Sequence, residues 1–314
     1  MSPSNGLLTG HRRGLPGSAG RADLPRMWTL ALAAVAGGAL LIDRVAVLTM
    51  RPPRRQPDRM ATDLGYPVAP LDVGAKGADV TLRGHLIEPR VRSAGTPLVV
   101  LVHGWTGDSS VMLHLAEPLV AAGVPTVVFD VRSHGRSDRA PAVTIRHFRD
   151  DLLTVMERLE ELEPGQDIVV VGHSLGGSAA ILAAARGARL AGLALVASPA
   201  DLFAATAGFF SDHGLPGRAL VQLLHPSWRL RAGESFRYLD PEARARDIAG
   251  KLPMTVIQGD RDTRVPPSDA ARLARAAGVS VVTVRGASHR DVLVHPETHA
   301  EILRFVGSLS RPGG

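Results

Sequence analysis

Short apolar segments alternate with longer amphipathic ones along most of the chain from residue 97 onward. The short segments are uniformly rich in Val, Ile and Leu, which predicts strands buried on both faces of a sheet. Strands are predicted at residues 98–102, 124–129, 167–171, 192–197, 253–258 and 279–284. Helices are predicted at 109–122, 143–162, 175–187, 266–277 and 297–309. This alternation predicts an α/β fold with a mostly parallel central sheet flanked by helices.

Other segments modify this regular picture. Residues 79–87 alternate between polar and apolar side chains, which predicts an early antiparallel strand. The helix at 143–162 carries an apolar stripe made of Phe148, Leu152, Val155, Met156, Leu159 and Leu162. Residues 198–252 separate two strands by far more chain than a crossover needs, and they hold six of the twelve aromatic side chains. We therefore expect a helical cap insertion at about 198–252.

The first sixty residues differ from the rest of the chain. Residues 1–26 are basic and rich in Gly, Pro and Ser, which predicts disorder. Residues 27–50 form a predicted apolar helix, interrupted by Asp43 and Arg44, and all 24 residues at ~1.5 Å each would cross a ~30 Å hydrocarbon core. The uninterrupted part before Asp43 is only about 24 Å long, so a span requires the Arg44 side chain to reach the lipid interface. A Pro- and Arg-rich linker is expected at 51–62, and the folded domain at 63–314.

The apolar helix has three interpretations. Its length and its flanking arginines favour a single N-terminal membrane anchor, which would make the protein membrane-associated. A cleaved signal peptide is a second interpretation. The third is a helix packed against the folded domain of a cytoplasmic protein. The sequence does not indicate which side of a membrane the folded domain would occupy.

Charge and cysteine content exclude several classes of function. The chain has 36 basic and 30 acidic side chains, but nine arginines and only three acids lie in residues 1–60, so the remainder is neutral. The folded part therefore lacks the net positive charge expected of a nucleic-acid-binding surface. The chain contains no cysteine, which excludes disulfides, thiolate metal sites and a cysteine nucleophile.

A candidate nucleophile lies at the end of the predicted strand 167–171. The sequence there, Gly172-His173-Ser174-Leu175-Gly176, precedes an Ala-rich helix. A serine on a sharp strand-to-helix turn needs small neighbours, because the backbone leaves little room for Cβ atoms. The motif alone is a weak signal, so its meaning depends on partner residues elsewhere.

Three more clusters follow predicted strands. They are His103-Gly104-Trp105 after residue 102, Asp260-Arg261-Asp262 after residue 258, and Gly286-Ala287-Ser288-His289 after residue 284. The carboxyl ends of parallel strands share one edge of a sheet, so these clusters are expected to converge on Ser174. A serine, an acid and a histidine in this chain order, each after a separate strand, indicate a nucleophilic catalytic site far more specifically than the serine motif alone.

Residues 63–310 resemble the α/β-hydrolase superfamily, in its branch of esterases, lipases and serine aminopeptidase-like hydrolases. The resemblance rests on the three clusters above, the Ser174 turn, and the segment Phe129-Asp130-Val131-Arg132-Ser133-His134-Gly135-Arg136-Ser137. The family commonly has Gly where Ser133 stands, a mild departure. The resemblance implies Ser174 as nucleophile, His289 as general base and then acid, and Asp262 as the carboxylate that orients His289.

The same resemblance implies an oxyanion hole formed by the backbone N–H groups of Trp105 and Leu175. Two other acids, Asp260 and Asp201, and one other histidine, His295, compete for the roles of Asp262 and His289. The spacing of His103, His134 and His173 does not favour a metal site. No metal and no cofactor are expected.

We therefore predict an ester hydrolase that works through an acyl-enzyme on a small-molecule, acyl or lipid-like ester. Phe209, Phe210 and Trp228 of the insertion are candidate substrate-binding residues. A thioesterase, a peptidase or an acyltransferase would use the same triad. A binding protein that retains the fold without catalysis is the alternative from a different class.

Overall fold

An eight-stranded sheet forms the centre of the structure, a computed structural model that describes residues 24–311. The strands are β1 (Val68–Gly74), β2 (Thr81–Ile87), β3 (Leu98–Val102), β4 (Thr126–Phe129), β5 (Ile168–His173), β6 (Gly192–Val196), β7 (Met254–Gly259) and β8 (Val281–Val284). Their order is β1-β2-β4-β3-β5-β6-β7-β8. Strands β3 to β8 are parallel, whereas β1 and β2 join the sheet as antiparallel strands.

Helices cover both faces of this sheet. The α-helices of the described residues are α1 (Leu24–Thr49), α2 (Ser109–Ala121), α3 (Ile145–Leu162), α4 (Leu175–Ala185), α5 (Leu202–Asp212), α6 (Gly217–Ala232), α7 (Pro241–Ile248), α8 (Pro267–Ala277), α9 (Asp291–Val294) and α10 (Pro296–Ser308), of which seven pack on the sheet. One face packs against α3, α4, α7 and α8, and the other against α2, α9 and α10. Every residue of β3 to β7 is buried, which explains their uniformly apolar sequences. The predicted fold class is confirmed.

Helix α3 shows how the apolar stripe determines packing. Five of its six predicted stripe residues are buried against the sheet. The sixth, Leu162, is 48% exposed because it occupies the last position of the helix, where the buried stripe has ended.

Strand β1 is the one strand in the described part of the chain that the sequence pattern did not predict. It lies at the edge of the sheet, and only two of its seven residues are buried. Pro70 and Asp72 occupy exposed positions on either side of Leu71, so Leu71 and Val73 alone carry the apolar face of this short strand. An edge strand tolerates Pro70 because one of its sides has no partner strand.

The long interval between β6 and β7 contains three helices. Helices α5 and α6 pack against each other, whereas α7 packs on α4 and α8 and contributes Ala245 and Ile248 to the core. The cap therefore consists of α5 and α6, and α7 belongs to the helical layer on one face of the sheet.

The N-terminal helix belongs to two units of the chain. Among the described residues, those up to Asp43 form one unit, and those from Arg44 onward form a second, larger one. Residues 24–26, expected to be disordered, are helical, and the rest of that predicted segment lies outside the described residues. The folded unit begins before the expected boundary at Asp63, since Arg51 and Arg54 donate hydrogen bonds to the carbonyls of Pro141 and Gly135 (3.1 and 2.7 Å).

A buried ion pair fixes the segment that follows β4. Arg132 Nε donates to Asp151 Oδ1 of α3 (2.8 Å), and the Arg132 backbone N–H donates to Asp151 Oδ2 (2.9 Å). The two side chains are 6% and 0% exposed. Since both carboxylate oxygens are engaged, this pair locks the loop after β4 onto α3.

Candidate active site

Ser174 occupies a sharp turn between β5 and α4. Its backbone has φ 54° and ψ −126°, a conformation that few residues other than glycine adopt. A Cβ atom on Gly172 would come within 2.4 Å of the Gly177 Cα, and one on Gly176 within 2.3 Å of the Val102 carbonyl oxygen. The two flanking glycines are therefore required for the turn to form against the neighbouring strand.

A chain of hydrogen bonds leads from Ser174 into the protein. The distance from Ser174 Oγ to His289 Nε2 is 3.2 Å, and that from His289 Nδ1 to Asp262 Oδ2 is 2.8 Å. Asp262 follows β7 and His289 follows β8, so each residue comes from the carboxyl end of a different parallel strand. The Asp262 side chain is fully buried and that of His289 is 11% exposed.

The Asp262 carboxylate has a complete set of donors. Its Oδ1 accepts the backbone N–H groups of Arg264 and Val265, both at 2.9 Å. Its Oδ2 accepts the Gln258 side-chain amide at 3.1 Å, besides His289. Burial acts to raise the pKa of Asp262, but these hydrogen bonds and the nearby imidazole outweigh it and hold the pKa below its ordinary value. Asp262 is thus a fixed anion beside His289.

The residues that compete with Asp262 and His289 for the roles of acid and base make other contacts. Asp260 is exposed and accepts the Gly286 N–H (2.6 Å). Asp201 caps the N-terminus of α5, and His295 caps that of α10. All three of these side chains accept hydrogen bonds from nearby backbone N–H groups. The carboxylate that bonds to His289 is that of Asp262.

The turn after β3 lies directly against the serine. A Cβ atom on Gly104 would be 2.8 Å from Ser174 Cβ. His103 holds this turn: its Nε2 accepts the Val131 N–H (3.0 Å), so Nδ1 carries the proton and donates to the Gly104 carbonyl (2.8 Å). Within residues 24–311, the N–H groups of Trp105 and Leu175 donate no hydrogen bond, which leaves them available to an anion beside Ser174.

Two histidines have positioning contacts that the sequence did not predict. His173 Nε2 donates to the backbone carbonyl of His289 (3.0 Å), and His134 Nε2 hydrogen-bonds to the carbonyl of Trp105. Burial lowers the pKa of His173 to about 3 and that of His134 to about 4. The only feature of the sequence that could have indicated these positioning roles is location: His173 is next to Ser174, and His134 lies in the Phe129–Ser137 segment. In the described residues, no three His, Asp or Glu side chains meet as a metal site requires.

These buried neutral histidines predict a loss of stability in acid. His103, His134 and His173 have folded-state pKa values of about 4, 4 and 3, against 6.5 in the unfolded chain. Below pH ~6.5 the unfolded state binds protons that the folded state excludes. The contribution of these histidines to stability is therefore complete above that pH and is lost towards pH 4, at up to about 1.4 kcal/mol per histidine and pH unit.

Thermal denaturation measured across this pH range should show that the stability of His173→Gln declines less steeply with falling pH than that of the native protein. An equal slope in the variant would contradict this assignment.

A cavity of about 620 Å³ opens in front of Ser174. Its wall includes Ser174, Leu175, His289 and Trp105 from the domain body, and Phe209, Phe210 and Trp228 from the cap. The Phe210 and Trp228 rings stack, with centroids 6.3 Å apart. All the residues singled out from the sequence as candidate substrate-binding residues thus line one cavity with Ser174.

Thr49 and Met50 also line this cavity, which the sequence did not predict. Trp228 Nε1 donates to Thr49 Oγ1 (3.1 Å), and the Val143 N–H donates to the Met50 carbonyl (2.8 Å). Met50 is only 4% exposed. The last turn of α1 and the residue after it are therefore part of the cavity wall.

Comparison with known proteins identifies the family of this chain independently of the site geometry. A family model described as "Alpha/beta hydrolase family" matches residues 99–303. A monoacylglycerol lipase of Mycolicibacterium smegmatis is 28% identical over 48% of this chain and 51% of its own length. The sn-1-specific diacylglycerol lipase ABHD11 of Danio rerio is 37% identical over 28% of this chain and 27% of its own.

A solved structure extends the likeness to the fold. An esterase of Pyrococcus furiosus superposes with a TM-score of 0.65 and 22% identity, covering 82% of this chain and 97% of that one. The chain spans about half or less of the curated relatives that it matches, so they do not define its whole activity. The family model alone covers more than half of the chain, and the protein therefore belongs to the alpha/beta hydrolase family.

Proposed function

We propose that the protein is a serine hydrolase that cleaves a carboxylic ester through an acyl-enzyme. The observation that carries this proposal is the hydrogen-bonded chain from Ser174 through His289 to Asp262. Because His289 Nδ1 donates to a fixed carboxylate, the Nε2 lone pair is directed at the Ser174 hydroxyl. That hydroxyl can then lose its proton as it attacks.

The reaction follows from this geometry. Ser174 Oγ attacks the ester carbonyl carbon while His289 Nε2 takes the hydroxyl proton. The carbonyl oxygen becomes an anion that the N–H groups of Trp105 and Leu175 receive, at the N-terminus of α4. The imidazolium then protonates the departing alcohol. A water molecule then attacks the acyl carbon while His289 Nε2 takes its proton, the bond from that carbon to Ser174 Oγ breaks, and His289 returns the proton to Oγ as the acid leaves.

A fluorophosphonate probe tests this proposal. The native protein should be labelled at Ser174, as read by mass spectrometry of the modified peptide, and Ser174→Ala should not react. Ser178→Ala is a matched control, since Ser178 is buried one turn further along α4 and donates to the Pro199 carbonyl. An unlabelled native protein would favour a binding protein without catalytic activity.

We also propose that the ester carries a lipid-like acyl chain. The aromatic residues Phe209, Phe210 and Trp228 favour an apolar group in the cavity, and two of the similar proteins are named as lipases. Burial of each methylene contributes up to about 0.8 kcal/mol, so kcat/KM for p-nitrophenyl octanoate should exceed that for the acetate roughly tenfold or more. A preference for acetate would count against a lipid-like substrate. Matched thioesters and anilides in the same panel would identify the bond that is cleaved.

We further propose that Met27–Thr49 anchors the protein in a membrane. This segment has 23 residues, a mean hydropathy of 1.9 in its most apolar stretch, and only 6% of that stretch is buried. Arg26 and Arg44 lie at the two ends of its uninterrupted apolar part, as expected where a span meets lipid headgroups, and the last residues before Met50 pack on the folded domain. A lipid-like substrate would then be available at the surface to which the enzyme is attached.

A further inference from the structure

Cap helix α6 has an exposed apolar stripe on the side opposite its buried face. Ala219, Leu223, Pro226 and Leu230 follow one another at spacings of four, three and four residues, which places them on one line along the helix. Leu223 and Leu230 are 50% and 78% exposed, whereas Val221 and Leu224 on the other face are buried. Helix α6 is therefore apolar on two opposite faces, of which the domain covers one.

Arginines border the exposed stripe. Arg218 and Arg229 lie on one flank of it, both exposed, and neither forms an ion pair within the described part of the chain. Helix α6 itself contains no acidic residue. A line of leucines beside unpaired arginines is the pattern of a helix that lies in the interface of an anionic membrane.

The position of α6 in the fold favours a lipid surface as its occupant. Trp228, on the buried face of α6, hydrogen-bonds to Thr49, the last residue of the proposed span. The chain therefore leaves the proposed span directly beside α6. A water-soluble partner would have to reach this stripe next to the emergence of the anchor.

We propose that the outer face of α6 docks on an anionic lipid leaflet, with Leu223 and Leu230 among the acyl chains and Arg218 and Arg229 at the phosphates. This inference rests on the membrane anchor proposed above. Trp228 on the inner face lines the cavity of Ser174, so a single helix separates the lipid from the catalytic serine. An ester resident in the bilayer would thus enter the cavity beside α6 without crossing bulk water.

The absence of cysteine permits a direct test on the full-length protein. Leu230→Cys carrying an environment-sensitive nitrobenzoxadiazole label is reconstituted in vesicles of phosphatidylcholine and phosphatidylglycerol. We expect a blue-shifted emission and quenching by nitroxide-labelled lipid about twofold stronger than at a water-exposed control site. The control is Val91→Cys, which is 79% exposed and lies in the loop before β3, at the end of the sheet opposite the cap.

Three readouts separate the possible outcomes. Flotation of the vesicles in high salt reports the anchor, and fluorophosphonate labelling of Ser174 reports the folded catalytic site. If both are retained while the label at position 230 stays in water, the docking proposal is overturned and the other two proposals stand. Emission that follows the protein-to-lipid ratio, rather than the lipid composition, would show that a second copy covers the stripe instead.

The arginines provide a second and independent variant. Arg218→Gln combined with Arg229→Gln should remove the difference in quenching between phosphatidylglycerol-containing and pure phosphatidylcholine vesicles. Neither residue contacts the catalytic side chains, so hydrolysis of a soluble short-chain ester should stay unchanged. An undiminished response to phosphatidylglycerol would refute the role of these arginines.

Discussion

Replacing Asp262 with asparagine is expected to lower kcat for ester hydrolysis by about four orders of magnitude, with little change in KM. The effect comes from the orientation of the new amide. Two backbone N–H groups, of Arg264 and Val265, point at the Oδ1 position, so the amide oxygen must occupy that place. The amide NH2 group then faces His289 and donates to it.

In the variant, the side chain at position 262 donates a hydrogen bond to His289 where the carboxylate accepted one, and this changes the tautomer of the imidazole. His289 Nδ1 would accept the asparagine N–H, and Nε2 would therefore carry the proton. An Nε2–H group faces Ser174 Oγ as a donor and cannot take the hydroxyl proton. The variant should keep its fold and its cavity, because the asparagine has the same shape as the aspartate, while catalysis is lost.

The competing acids supply matched controls for this prediction. Asp260→Asn and Asp201→Asn make the same chemical change at residues that cap local backbone. Steady-state kinetics on the three variants should show the large loss in Asp262→Asn alone. A comparable loss in Asp201→Asn, which also lines the cavity, would transfer the role of the acid to that residue.

Replacing Asp151 with alanine is expected to destabilise the fold by about 3–5 kcal/mol, because it leaves the Arg132 guanidinium buried without a counter-charge. For a domain of this size, the melting temperature should fall by roughly 10 °C. The loss arises from the uncompensated charge, so Arg132→Met combined with Asp151→Leu should recover a large part of it. Differential scanning calorimetry measures both variants.

A surface pair is the control for the buried one. Arg59 and Glu117 also form an ion pair, but their side chains are 34% and 51% exposed. Glu117→Gln should therefore change stability by less than about 1 kcal/mol. Similar effects at both sites would show that burial of the Arg132–Asp151 pair has no energetic consequence.

The parts of the site that the sequence predicted are those specified by local patterns. Ser174, Asp262 and His289 each follow an apolar strand, and the geometry of a parallel sheet brings the ends of such strands together. Strands β3 to β7 could be predicted because burial on both faces leaves a continuous apolar run, and the edge strand β8 could be predicted from its run of β-branched residues although only Val284 is buried. Local sequence and one topological rule were sufficient for these features.

The features that the sequence did not reveal depend on contacts between distant segments. Thr49 lines the cavity because Trp228, 179 residues later, hydrogen-bonds to it, and no local pattern encodes that contact. The contact of His173 with the His289 carbonyl spans 116 residues. Ser133 adopts φ 64°, which explains why the family commonly has glycine there, but one sequence alone does not report backbone angles.

The contribution of Thr49 and Met50 to the cavity wall has a consequence for how this enzyme could be released from the proposed anchor. A protease that cut the chain between Thr49 and Met50 would separate the catalytic domain from the proposed anchor and at the same time remove Thr49, the hydrogen-bond partner of Trp228. The shed domain would keep Ser174, Asp262 and His289, yet its cavity would be open on one side. Release and a change in substrate selectivity would then be a single event, so a soluble form would not be the same catalyst as the anchored one.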